Sequence, residues 1–395
     1  VPKIAALTVF IRFLYVPFLN LIDQWQMIIV FLSIASMIFG AIAAIGQTNI
    51  KRLIAYSSIG HIGYTLAGLA TGSNDGIQSS IIYISIYVIM NLALFSCLLM
   101  LKRKDQYYEN LDDLSGLSKN HPLLSLSLLI ILFSLAGIPP LAGFWSKDEI
   151  LASVFAKAGM EDELIFSLMY YLFWALTLGA AFLTAFYMGR HWLLVFEKDN
   201  GFDHSEVKEA PKAMTRPLIL LGVFSIFIGF INTPFFHGLE KVLHETLENV
   251  EVTHLPEGIV LIALAIFSIG AGFTGLIIAF LVFRYQLHKR INLKRFKLES
   301  PINLVKDLSS NVLYLNKFGN VFFVSGMKNV SRRIAVIVDG LIIDGSVNFI
   351  SSTFGKTSRL TSATQTGMVR NYVVYFGLFL ILLISLFIFT PLVAQ

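Results

Sequence analysis

Apolar runs of about twenty residues recur along this chain, and no other feature restricts its fold as much. A helix needs about 20 mostly apolar residues to cross the ~30 Å hydrocarbon core of a bilayer. Nine stretches meet or approach that length: Pro2–Ile22, Gln26–Gly46, Leu53–Ala70, Ile77–Leu101, Leu123–Ala156, Leu164–Trp192, Leu218–Phe236, Gly258–Tyr285 and Asn371–Leu392. The fifth is interrupted. Only 14% of the residues are charged and 56% are hydrophobic, whereas a soluble chain carries about a quarter charged residues and needs them for its polar shell. The expected fold class is therefore an all-α polytopic membrane protein with about nine transmembrane helices, one of them broken.

Basic residues alternate between connections. Lys51 and Arg52, then Lys102, Arg103, Lys104 and Lys119, then Arg190, Lys198, Lys208, Lys212 and Arg216, then Arg284 to Lys297 form one set. The other connections are nearly bare: Thr71–Gln78 has none, and Phe236–Glu257 has only Lys241. Basic loops stay on the cytoplasmic side, so the alternation sets the topology and accounts for the net charge of +5 without a nucleic-acid partner. The single Cys97 removes an internal disulfide, iron–sulfur ligation and structural zinc from consideration. The chain opens Val-Pro-Lys inside an apolar run, with no signal-peptide pattern, and is expected to be a fragment lacking upstream membrane segments.

The polar stretch Gln286–Arg370 carries Arg332, Arg333, Asp339, Asp344 and Lys356 and is not expected to span. Ile334, Val338 and Leu341 at i, i+4, i+7 suit a helix lying along a surface; a partly ordered cytoplasmic loop fits equally well.

The interruption of the fifth stretch reads FSLAGIPPLAGFWSKDEIL (Phe133–Leu151). Gly137, Pro139 and Pro140 break a helix, and Gly143 loosens the chain again. From Leu123 to Gly137 is 15 residues, roughly 22 Å at the helical rise. That falls short of a ~30 Å core, so the break is expected inside the membrane, where irregular backbone survives only against protein or a wet cavity. The alternative is a helix ending at Gly137 with Lys147 in the interface. If Lys147 is inside, Gly143, Phe144, Ile150 and Leu151 on its helix face offer no counter-ion, while Asp148 and Glu149 point elsewhere. An amine so placed has charged and neutral forms close in energy and can take and release protons.

Lys3 is a second candidate, unless it snorkels from a helix end. Polar stripes form a third feature: Ser57, His61 and Tyr64; Tyr83, Tyr87 and Asn91; Thr177 and Thr184. Each suits either a water chain or ordinary interhelix hydrogen bonding. Gly270-Ala-Gly272-Phe-Thr-Gly275 matches a dinucleotide fingerprint but lies in an apolar helix with no preceding strand, so it reads as close helix packing.

NIKRLIAYSSIGHIGY (Asn49–Tyr64) and LAGIPPLAGFWSKDEIL (Leu135–Leu151) resemble the antiporter-like membrane subunits of proton-pumping NADH–quinone oxidoreductase, respiratory complex I. Up to about Gly143 the chain resembles subunit N. From FWSKDEIL onward, with LTAFYMGRHWLLVF, EAPKAMTRPLILLGVFSIFIGF and QTGMVRNYVVY, it resembles subunit L. Such a switch points to a fusion, a recombinant gene or an assembly artefact. The resemblance implies four parts: 1–157 with the broken helix, 158–285, a lateral-helix segment 286–370, and an anchor 371–395. It also implies a proton-translocation set of Lys3, Lys147 and Asp148, with His61 in a matching motif, in the bacterial inner membrane. It implies that this chain binds no cofactor itself. NADH, FMN, iron–sulfur clusters and quinone then belong to partner subunits, and the other membrane subunits of complex I and the bilayer are its surroundings. Two alternatives stay open: a subunit of a multisubunit cation/proton antiporter, and a truncated non-pumping scaffold.

Overall fold

The computed structural model describes residues 2–100, parts of 102–119, and 121–197, 212–233, 236–237, 255–256, 258–285 and 307–393. Residues 198–211, 238–254 and 286–306, with the basic residues noted in the first and last of these, lie outside the described residues. Two units emerge, Val1–Leu315 and Asn316–Gln395.

The first unit is a helical bundle: α1 (Pro2–Tyr15), α2 (Ile22–Ile45), α3 (Ile50–Leu69), α4 (Asn74–Met100), α5 (Pro122–Ala136), α6 (Ala142–Met160), α7 (Leu164–Trp192), α8 (Lys212–Phe227) and α9 (Ile259–Phe283). Together with a helix near the C-terminus, every expected span is helical over most of its length. Two ladders of two residues per strand, Lys102–Arg103 with Gln106–Tyr107 and Asn232–Thr233 with Phe236–His237, are the described extended pairs.

Local chemistry sets the ends. Asn49 caps α3, its side chain accepting from Arg52 N at 3.1 Å, which satisfies one of the orphan donors of a helix start. Pro122 opens α5, where its missing N–H costs nothing. Apolar side chains of α1, α2, α5, α7 and α9 remain exposed, among them Phe31, Leu126, Leu172 and Ile266, as expected of faces that meet lipid.

In a bilayer, helices associate through close packing rather than hydrophobic burial, so small residues mark their contacts. A Cβ on Gly40 of α2 would stand 2.8 Å from Tyr56 O of α3, and one on Gly63 would stand 2.8 Å from Met37 N. Two of the three glycines of the apparent dinucleotide motif, Gly272 and Gly275, behave likewise, while Gly270 has open space at its Cβ. Gly270, Gly272 and Gly275 all lie within α9, and Gly275 presses on the α7 backbone at Phe182.

The second unit differs in detail from the surface-helix expectation. Helical backbone runs from Leu315 through α10 (Asp344–Thr364), but Asn320–Ser325 and Ala335–Ile343 are wound as wider π turns. Each π turn takes up more residues than an α turn, so the i, i+4, i+7 register of Ile334, Val338 and Leu341 is lost, and all three are exposed. After a turn at Gly367, φ +70°, comes α11 (Val369–Val393).

Six described helical runs are long and apolar enough to cross a membrane, and Val312–Ala363 is among them at 52 residues. Its first three residues, Val312–Tyr314, have positive φ, and two of its stretches are π-wound, so it is not one continuous α-helical span.

Gly40→Val is expected to destabilise the bundle by about 1–3 kcal/mol, the usual cost of overpacking. Gly179→Val, with open space at its Cβ, should leave the thermal midpoint of the detergent-solubilised chain within error.

Candidate functional site

The interrupted fifth stretch becomes two half-helices. α5 ends at Gly137 in the left-handed conformation, φ +83°, which glycine adopts without a Cβ penalty. Gly137 N donates to Phe133 O and Ser134 O at 3.1 and 3.0 Å, and Ile138 N returns to Phe133 O at 3.1 Å. The Pro139–Pro140 peptide is cis, and α6 starts at Ala142.

A helix end leaves four carbonyls without intrahelical donors, and buried carbonyls require partners. At α5, Phe133 and Ser134 are served by the turn. The remaining two, Leu135 O and Ala136 O, accept from Lys147 Nζ at 2.8 and 3.0 Å.

Lys147, on the second turn of α6, is 3% exposed. Its ammonium lies at the negative end of the α5 dipole, which favours a cation, and 5.1 Å from the centre of the Tyr64 ring. Among the described residues no carboxylate pairs with it. The side chain reaches the carbonyls through space that Gly137 leaves empty: a Cβ there would stand 2.9 Å from Lys147 Cδ. Gly143 is equally constrained, because its Cβ would land on the Ser134 carbonyl, and its N–H donates to Ser134 Oγ at 3.3 Å. Ser134 Oγ also donates to Ser225 O of α8 at 3.0 Å and approaches Met90 Sδ of α4 at 2.9 Å.

Asp148 faces a different helix from Lys147. Ser268 of α9 is within hydrogen-bonding reach of its carboxyl, while Oδ1 is buried with no hydrogen-bond partner among the described residues.

Lys3 and His61 belong to the same interior. Lys3, half-buried on α1, donates from Nζ to Tyr87 Oη at 3.3 Å. The Tyr87 ring packs on His61 at 4.7 Å between centroids. His61, 1% exposed, has Nδ1 at 2.6 Å from Tyr83 Oη, and its Nε2 has no partner among the described residues. Tyr83 and Tyr64 rings lie 5.9 Å apart, and Tyr64 returns to Lys147. The two lysines are thus the ends of one succession: Lys3, Tyr87, His61, Tyr83, Tyr64, Lys147. His61 lies within electrostatic reach of both.

Two stripes noted in the sequence, on α3 and α4, meet face to face in this cluster, and Ser57 Oγ joins Tyr187 Oη of α7 at 3.0 Å. The third stripe joins them: Thr177 and Thr184 hydroxyls bond their own helix at Phe173 O and Ala180 O, while Tyr64 Oη donates to Thr177 O at 3.3 Å and Thr184 lies within hydrogen-bonding reach of Tyr64 and Tyr187. Sequence reasoning missed the two α5 carbonyls that hold Lys147 and the linking role of Ser134. The carbonyls had a signal, since a left-handed glycine end leaves two of them unserved.

Residues 1–184 match the family model described as NADH:quinone oxidoreductase/Mrp antiporter, transmembrane. Residues 191–337 match a second model, which describes the C-terminal transmembrane segments of an NADH-dehydrogenase (complex I) subunit. Together the two matches take in most of the chain, and the chain is similar to the transmembrane subunits that both models describe.

Relatives include NADH-quinone oxidoreductase subunit N of Pelagibacter ubique, 78% identical over 40% of this chain and 34% of that protein. Subunit N of Parvibaculum lavamentivorans is 40% identical over 59% of this chain and 46% of that protein. Among solved structures, a chain of respiratory complex I from Thermus thermophilus with bound NADH overlaps 57% of this chain and 46% of its own, at 20% identity and a TM-score of 0.46. The chain spans less than half the length of the curated relatives it matches.

Gly137→Ala is expected to cost about 1–2 kcal/mol from the left-handed backbone alone, with a further loss from the Lys147 stem. Gly179→Ala, at a helical glycine of α7 with nothing near its Cβ, carries neither cost. The thermal midpoint should fall further for Gly137→Ala.

Proposed function

We propose that this chain is part of a proton-translocating membrane subunit of a NADH–quinone oxidoreductase in the bacterial inner membrane. In this reading it holds no redox centre; NADH oxidation and quinone reduction, with FMN and iron–sulfur clusters, occur in partner subunits. Beside it stand the other membrane subunits of the complex. The observation that carries the reading is the interior succession between half-buried Lys3 and buried Lys147 through Tyr87, His61, Tyr83 and Tyr64.

In this proposal Lys147 is the proton-holding group at the break. The α5 carbonyls stabilise its ammonium form, while desolvation without a counter-ion opposes it. A modest change in nearby charge then shifts its occupancy. His61 relays between the amines, because an imidazole can accept a proton at one nitrogen while releasing one from the other. The contacts of His61 with Tyr87 and of Tyr83 with Tyr64 are ring contacts rather than hydrogen bonds, so a proton crossing them requires water or a rotated tyrosine hydroxyl. Asp148, turned toward Ser268, serves as a separate carboxyl on the α9 side of the same half-helix.

We also propose the division 1–157, 158–285, 286–370 and 371–395, with subunit N-like character giving way to subunit L-like character near Gly143. The 78% identity to a subunit N over 158 residues, 40% of this chain, supports the subunit N-like part of this reading.

A cation/proton antiporter remains the second reading, because the matching family's description names both kinds of protein. Lys147→Ala, placed in the assembled enzyme in membrane vesicles, is expected to lower NADH-driven proton uptake on the order of tenfold, below the ~100-fold or more that a positioned proton-transfer group can contribute. Unchanged uptake with normal assembly would leave only a scaffold, and sodium-driven proton exchange without NADH would favour the antiporter.

A further inference from the structure

The ring contacts between His61 and Lys147 have a hydroxyl-lined alternative, and α7 supplies its middle. Tyr187 and Thr184 stand one turn apart on α7 and are buried, as are Ser57 and Tyr64 of α3. Tyr187 Oη shares a hydrogen bond with Ser57 Oγ at 3.0 Å and lies within hydrogen-bonding reach of Thr184. Thr184 in turn lies within reach of the Tyr64 hydroxyl. Ser57, Tyr187, Thr184 and Tyr64 therefore form one line of hydroxyls, and no link in it is a ring contact.

Both ends of the line meet groups of the succession. The Lys147 amine stands over the Tyr64 ring, 5.1 Å from its centre. At the other end, Ser57 precedes His61 by one turn of α3, on the same face. Helical side chains lean toward the N-terminus, which tilts the imidazole toward Ser57. Tyr83 Oη engages His61 Nδ1, whereas Nε2 is buried with no hydrogen-bond partner among the described residues. A buried nitrogen in that state is uncommon and needs a reason. A hydroxyl both donates and accepts, so a line of them can pass a proton in either direction, which a pair of stacked rings cannot.

We propose that Ser57, Tyr187, Thr184 and Tyr64 are a hydroxyl relay between His61 and Lys147, so that α7 contributes two proton-relay residues. This rests on the proton-translocating reading above. A cationic His61 gives up the hydrogen on Nε2. Each hydroxyl takes one hydrogen and releases its own, and neutral Lys147 takes the last to become an ammonium. During transfer Thr184 turns from Ala180 O, to which it otherwise donates. The Lys147 stem swings from the α5 carbonyls toward the Tyr64 hydroxyl.

The test places Tyr187→Phe, Thr184→Val and the double variant in the assembled enzyme in membrane vesicles, beside Lys147→Ala. Each substitution on α7 removes a hydroxyl and keeps the side-chain shape, and the amount of assembled enzyme is checked on native gels. NADH-driven proton uptake is expected to fall about tenfold in each single variant, within what a positioned proton-transfer group can contribute. The double variant should fall no further, because one broken link already interrupts the line; independent lesions would multiply to about a hundredfold. The uptake that remains should show a larger solvent deuterium isotope effect than the parent enzyme, which a mere packing defect would not produce. If one single variant fails to assemble, the other decides. Normal uptake in the α7 variants with uptake lost in Lys147→Ala overturns the relay and leaves the proton-translocating reading standing, whereas normal uptake in Lys147→Ala overturns that reading and the relay with it. Multiplying losses with an unchanged isotope effect also overturn the relay.

Discussion

The ammonium of Lys147 and the last two carbonyls of α5 solve each other's problem. A cation taken out of water without an anion is costly, and so is a buried helix end whose carbonyls lack donors. Bringing them together satisfies Leu135 O and Ala136 O and places the charge where the helix dipole is negative. Both costs arise from the same break in the chain. With an unbroken helix the carbonyls would be occupied, and Lys147 would have only the face of Tyr64.

This pairing also keeps the amine adjustable. A carboxylate partner would hold the charged form firmly. Neutral carbonyls hold it less firmly, and their number can change with small movements of one half-helix against the other. The close contact of α2 with α3 at Gly40 and Gly63 sets the position of α3, which carries His61 and Tyr64.

Much of this was legible beforehand. Proline and glycine at 137–143 located the break, because their backbone limits hold in any environment, and the shortness of the segment before it pointed to a buried Lys147. Apolar length alone located the helices. Which polar stripes would face one another was not legible: Tyr87, His61 and Tyr83 are each merely polar positions at helical spacing until α3 and α4 pack. The orientation of Asp148 toward Ser268 was hidden for the same reason, the two being far apart in sequence. The π turns between Asn320 and Ile343 were invisible because a 3.6-residue template presumes its own period.

Ser134 has a consequence of its own. Its hydroxyl engages α4 at Met90, α8 at Ser225 and the start of α6 at Gly143, and it sits next to the first carbonyl that Lys147 touches. One oxygen atom therefore fastens three neighbouring helices to the hinge of the crossing. The uncharged Ser134 thereby ties α8, at Ser225, to the helix end whose carbonyls hold the lysine.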